Sequence, residues 1–267
     1  MKLGFTTAVF EKELNDKDVT LQDIVEFAKE IGFGAIELRE GCVEDYDGDA
    51  LRQLSQRNEK IHFTYAIKND CFDERDEQKV RGAIELSGSL SADPVLRLVA
   101  DGGIIKNEKR RYTSEEKNKI VNKLKIYADI AAQHEVMLGL ENAREPMEDI
   151  KYVIDQVGSP LMGVTFDPGN LTSIAIAIEK EDPLEALESL EVSEIKLVHL
   201  KQTINGEPQT YISRGDIDIK KLIDRLNGMG YEGILCLEPR AAKGCRDAIK
   251  SSIEYMNKFY GKPWPYF

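Results

Sequence analysis

Four ionisable residues in this chain each follow directly on a short apolar run. Glu141 follows Val-Met-Leu-Gly-Leu, Asp167 follows Met-Gly-Val-Thr-Phe, His199 follows Ile-Lys-Leu-Val, and Glu238 follows Gly-Ile-Leu-Cys-Leu. A charge at the end of a buried strand is costly unless it is paired or coordinated. Three carboxylates and an imidazole together neutralise a divalent cation and offer it oxygen and nitrogen ligands. That set suits one Mn2+, Mg2+ or Co2+ ion, with Zn2+ or Fe2+ as further options. Taken singly, each residue could be an ordinary strand-end group, and His199 a hydrogen-bonded core histidine. Their shared placement is what points to a metal.

The elements that must position them are legible as an alternation. Apolar runs occur at residues 3–5, 35–38, 61–65, 95–99, 136–140, 162–166, 195–200 and 233–237. Each is nearly continuous, as parallel strands covered on both faces are. Amphipathic stretches lie between them. Thr20 is placed to cap a helix carrying Ile24, Phe27, Ala28 and Ile31 on one face, and Gly32 to stop it. Ser114 is expected to cap a second helix, with Glu116 in its first turn and Ile120, Val121, Leu124, Tyr127 and Ala128 inward. Asp216 or Asp218 opens a third, closed by Gly228 and Gly230, and the last helix is expected from about 244 to 259. Eight strand–helix units imply a parallel sheet, and in 267 residues they favour closure into a single (β/α)8 TIM barrel of one domain, 1–267. In such a barrel the strand ends converge at one mouth.

The Glu-Asn at 141–142, Phe-Asp-Pro-Gly-Asn at 166–170, Val-His-Leu-Lys at 198–201 and Leu-Glu-Pro at 237–239 resemble the motifs of the xylose isomerase-like barrels, including their tagatose 3-epimerase-like branch. Gly-Phe-Gly-Ala-Ile-Glu-Leu at 32–38 and Arg-Gly-Asp-Ile-Asp at 214–218 are similar to that superfamily too, so the likeness runs in order along nearly the whole chain. The resemblance implies that Glu141, Asp167, His199 and Glu238 hold the metal. It also implies that Glu141 and Glu238 are catalytic, exchanging a proton at carbon through an enediolate of a small sugar or ketose. The chemistry is sound, since a metal acidifies the C–H beside a carbonyl and two carboxylates can take and return the proton. Arg214, Asn170, Lys201 and Glu37 are the candidate substrate-binding residues, with Asn142, Tyr65 and Arg240 as further polar groups at the mouth. A homodimer or homotetramer is expected from the resemblance alone. One departure stands out: several sugar epimerases of the superfamily carry a histidine three residues after the metal-binding Asp, where this chain has Asn170. That keeps open a metal-dependent lyase or dehydratase acting on a keto-sugar or keto-cyclitol, alongside an isomerase or epimerase.

Composition narrows the field further. With 36 basic and 48 acidic residues the net charge is −12, which disfavours a nucleic-acid partner. The basic cluster at Lys109, Arg110 and Arg111 is followed by Glu115 and Glu116 and is expected to be a solvated loop. Of three histidines, His134 falls at a helix end and His62 at a strand start, so one metal is expected rather than the three-zinc cluster of an AP-endonuclease. A non-enzymatic barrel is the remaining alternative, because fold does not fix function. The four cysteines form no C-x-x-C pair and are expected as free thiols, with Cys236 in the core. No apolar run approaches the roughly 20 residues of a membrane span. The N-terminus turns polar within its first seven residues, so the cytoplasm is the expected location. The aromatic tail 261–267 is expected to dock on the barrel or on a partner subunit.

Overall fold

In the computed structural model, residues 1–101, 110–241 and 244–260 are described. Eight parallel strands close into a barrel: β1 (Lys2–Thr6), β2 (Ala35–Arg39), β3 (His62–Ala66), β4 (Val95–Leu98), β5 (Met137–Glu141), β6 (Met162–Phe166), β7 (Ile195–Leu200) and β10 (Ile234–Leu237). All eight expected strands are present, each within about a residue of its apolar run. His199 lies inside β7 rather than after it, and Glu141 is the last residue of β5. A short antiparallel hairpin, β8 (Thr203–Ile204) and β9 (Glu207–Pro208), rises from the end of β7.

The strand pleat divides the side chains into two sets. Leu138, Leu140, Val164, Phe166, Val198, Leu200, Leu235 and Leu237 join the large apolar core. Their neighbours on the other parity include Ala35, Val95, Leu197, Ile234 and Cys236, which form a separate small cluster with Met137. That cluster plugs the barrel interior. The same parity carries Glu37, Arg97, Glu141, His199 and Glu238 towards the C-terminal end of the strands, above the plug.

The helices follow from their capping residues and apolar stripes. Helices α1 (Glu11–Asn15) and α2 (Leu21–Glu30) come first, and α2 opens on a capping box of Thr20 and Asp23. It buries Leu21, Ile24, Val25, Phe27 and Ala28, and the chain turns away at Gly32, whose φ of 75° suits glycine. Helices α3 (Gly48–Arg57), α4 (Asp76–Ser87), α5 (Ser114–Gln133), α6 (Met147–Val157), α7 (Pro168–Thr172) and α8 (Pro183–Glu188) follow. The cap of α5 is Thr113, not the expected Ser114: its hydroxyl accepts from the Glu116 N–H while Glu116 returns to the Thr113 N–H. Asp218 caps α9 (Ile219–Gly228), and α10 (Cys245–Tyr260) closes the barrel. The four cysteines are free and buried. No helix among the described residues is long and apolar enough to cross a membrane. The expected tail at 261–267 and Lys109 of the basic cluster lie outside the described residues. Arg110 pairs with Glu116, and Arg111 with Glu148 and Glu179, so this part of the cluster is neutralised within the chain.

Gly163 sets how closely β6 approaches the entry to β7. A Cβ there would sit 2.1 Å from the Glu194 carbonyl oxygen and 2.8 Å from Lys196 Cε. The register between these strands shifts just beyond it, between Val164 and Thr165, on the way to Asp167. Backbone cannot yield as a flexible side chain can. Gly163→Ala is therefore expected to destabilise the protein by about 2–3 kcal/mol, read from denaturant midpoints. Gly82→Ala, with nothing within 4 Å of the added carbon in α4, should instead be neutral or slightly stabilising. Equal midpoints for the two variants would show that the contact at Gly163 does not constrain the strand pair.

Candidate metal centre

Glu141, Asp167, His199 and Glu238 come together at the C-terminal mouth of the barrel, each offering a ligand atom within 4.8 Å of the others. They arrive from β5, β6, β7 and β10, which are neighbours in the closed sheet. Asp167 and His199 are fully buried, and Glu141 is 5% exposed.

Each is held by local structure. Asp167 caps the short helix α7, its Oδ1 accepting from the N–H groups of Gly169 and Asn170 at 2.8 and 3.1 Å. The buried Asn142 side chain clamps the Asp167 backbone, donating to its carbonyl and accepting from its N–H, both at 2.8 Å. This continues the β5–β6 pairing one step beyond the strands. Asn170 Nδ2 reaches Glu141 Oε1 at 3.4 Å, and Lys201 Nζ donates to Asp167 Oδ2 at 2.6 Å and Asn170 Oδ1 at 3.1 Å.

His199 decides what the cluster can bind. Its Nε2 lies 2.9 Å from Glu37 Oε2, and a carboxylate there fixes the ring proton on Nε2. The lone pair is then on Nδ1, which lies 3.0 Å from Glu238 Oε2 and 3.3 Å from Glu141 Oε1. Nδ1 makes no hydrogen bond, and neither does Glu238 Oε2. A lone pair facing two carboxylate oxygens in a buried site is repulsive unless a cation lies between them. Burial alone would strip a second proton from His199. Glu37, with Glu141 and Glu238, outweighs it and raises the imidazole pKa well above its usual range. A divalent ion would take the place of that second proton, since ligands bind in their deprotonated forms. Burial and the three carboxylates thus make a donor set that fits one divalent ion.

A second grouping, Glu37 with His199 and Cys236, shares the histidine. It is the poorer site. Glu37 already occupies Nε2, and burial pushes the Cys236 thiol well above its usual range, away from the thiolate a metal needs.

Two arginines complete the cluster and escaped the sequence reading. Arg97 on β4 is 2% exposed, with Nε 3.4 Å from Glu141 Oε2 and an N–H donating to the Ile67 carbonyl at 3.1 Å. Arg39 at the end of β2 lies 3.3 Å from Glu238 Oε1 and 3.7 Å from Glu37 Oε1. Against burial, Arg97 with His199 lowers the Glu141 carboxyl, while Lys201 and Arg39 lower that of Glu238. For Asp167 burial prevails, raising its carboxyl in spite of Lys201. The signal for the arginines lay in the strands: a charge inside Val-Leu-Arg-Leu is as costly as one at a strand end.

The expected substrate-binding residues separate in space. Lys201 and Asn170 join the cluster and line a mouth cavity of about 490 Å3 with Arg39, Ser173, Glu238 and Arg240. Glu37 does not line it. Glu37 is 1% exposed and sits beneath His199, because its strand parity and depth place it against the imidazole. Arg214 is exposed in the loop before α9 and does not line that cavity. His134 caps the C-terminus of α5.

His62 lies at the opposite end of the barrel, in a cavity of about 520 Å3 lined also by Lys2, Ser91 and Asp93. Burial, then Lys2 with its Nζ 3.5 Å from Nδ1, pushes His62 down to about 4. The native state thus loses this proton below the usual histidine value of about 6.5. His62 contributes nothing above pH 6.5. As pH falls from 6.5 towards 4 the unfolded chain gains a proton that the native state refuses, and stability drops. The loss should reach about 3 kcal/mol near pH 4. Denaturant melts across that window should show a shallower decline for His62→Gln, and parallel declines would rule out this contribution.

Comparisons with known proteins bear on the family and the fold. A family model described as the xylose isomerase-like TIM barrel matches residues 25–259. The chain belongs to that family. An uncharacterised protein of Methanocaldococcus jannaschii, MJ1311, is 26% identical over 182 residues, 64% of this chain, and the match spans only 58% of that relative. Among solved structures, an IOLI protein with a bound zinc atom superposes with a TM-score of 0.76 at 18% identity, over 100% of both chains. The probable 3-DHS dehydratase AsbF of Bacillus anthracis gives 0.75 at 16% identity, covering 96% of this chain and 99% of its own. A D-tagatose 3-epimerase-like protein gives 0.74 at 18% identity, covering 98% and 99%. At these identities the likeness establishes the shared fold.

Proposed function

We propose that this chain is a divalent-metal-dependent enzyme that takes a proton from a carbon of a small sugar-like ketose and returns one, to the neighbouring carbon as an isomerase or to the opposite face of the same carbon as an epimerase. The observation that carries the reading is the unshared Nδ1 of His199, turned by Glu37 towards Glu141 and Glu238, with Asp167 completing the set. The structural neighbours include a zinc-bound protein and an epimerase-like protein, which supports it by analogy.

Glu141, Asp167, His199 and Glu238 would hold the ion. When bound, the metal polarises the substrate carbonyl and acidifies the C–H beside it. Glu141 and Glu238 stand on β5 and β10, separated in the sheet by β6 and β7, and so can face a substrate from two sides. One removes the proton and the other returns it. Arg97 and Arg39 keep these two carboxylates ionised, the form that accepts a proton. Lys201 and Asn170 at the cavity wall are placed to hold substrate oxygens.

A lyase or dehydratase is the second reading. It is favoured by Asn170, which stands where several sugar epimerases of the superfamily carry a histidine. The two readings differ in product. Incubation of the Mn2+-loaded protein with a ketose panel in D2O should place deuterium on carbon with the substrate mass otherwise unchanged. An ultraviolet-absorbing product that has lost water would favour the lyase, and neither result across the panel would remove both.

A further inference from the structure

We infer that the substrate carries a carboxylate, so that the site acts on a small keto or sugar acid in preference to the neutral ketose. The inference rests on the proposed function and deepens it. It starts from the balance of buried charge. Four carboxylates meet at the mouth, on Glu37, Glu141, Asp167 and Glu238, and three cations are ion-paired with them, on Arg39, Arg97 and Lys201. With a divalent ion on a neutral His199, four negative charges face five positive ones, an excess of one. This occurs in a chain whose net charge is −12, so the local sign runs against the molecule as a whole.

An uncompensated buried charge is costly. The lining of the mouth cavity adds the exposed Arg240 to Arg39 and Lys201, and Glu238 and Glu11 are its acidic members. Lys12, also at this wall, is already paired with Asp16. Hydrogen bonding points the same way. The Nε of Arg39 and that of Arg97 are buried without a hydrogen-bond partner. A guanidinium has five N–H donors and suits a planar carboxylate, so Arg39, which reaches the cavity, retains donor capacity beyond its pairing with Glu238. A single excess charge is matched by a carboxylate monoanion better than by a phosphate dianion, and about 490 Å3 accommodates a six-carbon acid.

The test is calorimetric titration of the Mn2+-loaded chain with D-fructose, D-fructuronate and D-fructose 6-phosphate. The first two share a carbon skeleton and differ in one oxidised terminus. The expected result is binding of fructuronate at least about tenfold tighter than fructose and tighter than the phosphate, with the margin shrinking as salt is raised. The preference should vanish in the metal-free protein, where the excess does not exist. It should collapse in Arg39→Gln, persist in part in Arg39→Lys, and weaken in Arg240→Gln, whose exposed position leaves folding intact. Equal binding of fructose and fructuronate, or no binding of either, overturns the inference, and would mean that solvent hydroxide or chloride supplies the counter-charge. Deuterium exchange separates this outcome from the fate of the enzyme reading. Exchange on fructose as efficient as on its acid leaves the enzyme and removes the acid preference. Tight acid binding without exchange on any substrate does the reverse.

Discussion

Glu238→Gln is expected to reduce bound divalent metal from about one ion per chain to a small fraction, and to lower carbon–deuterium exchange on the order of 10^3-fold. Glutamine keeps the volume and one oxygen, so the loss isolates charge and the second donor. Glu238 is well suited to this test because its Oε2 is the unpartnered oxygen facing His199 Nδ1, while its Oε1 receives Arg39 at 3.3 Å and Lys201 at 3.5 Å. Without the carboxylate, two cations and a divalent ion share a buried space with one counter-charge fewer. Elemental analysis after dialysis reads the metal directly. Thermal melts give a second readout, since an ion that binds only the native state raises its melting temperature. Mn2+ should shift the wild type and not the variant. Full metal content together with normal exchange in the variant would remove Glu238 from the site, and with it the claim that four residues share one ion.

The parts of this arrangement that were legible in the sequence are those fixed by burial on both sides. Strands β1 to β7 and β10 announced themselves as apolar runs because helices cover one face and the barrel plug or mouth the other. Glu141, Asp167, His199 and Glu238 stood out because each breaks such a run at its C-terminal end. Arg39 and Arg97 break runs too, but as partners of other charges they carry no ligand signature of their own. Glu37 was noticed for its position on the second strand and expected to meet substrate. Only the fold reveals that it lies 2.9 Å from His199 Nε2, a neighbour 162 residues away. The cap at Thr113 was missed by one residue because two hydroxyl residues stand side by side and only hydrogen bonding separates them. The hairpin of β8 and β9 has two residues in each strand, too few for any periodicity to register.

Glu37→Gln is expected to weaken metal binding by about 10- to 100-fold without abolishing it. The reasoning depends on which nitrogen carries the proton. Burial works to raise the Glu37 carboxyl, but His199, then Arg39 and Arg97, outweigh it and keep it ionised. An ionised Glu37 can only accept, so His199 Nε2 must donate and Nδ1 must present its lone pair to the ion. Glutamine can still accept through its amide oxygen, which preserves the tautomer and removes the charge that makes the imidazole a stronger donor to metal. Exchange activity should therefore return at saturating Mn2+. Glu37→Leu removes the acceptor as well, frees the ring to adopt the other tautomer, and should lose activity at any metal concentration. Nitrogen chemical shifts of the imidazole supply the independent readout: a protonated Nε2 in wild type and Glu37→Gln, a mixture in Glu37→Leu. If all three proteins bind Mn2+ equally, Glu37 is a structural anion for Arg39 and Arg97, and the orientation of His199 is set by packing alone.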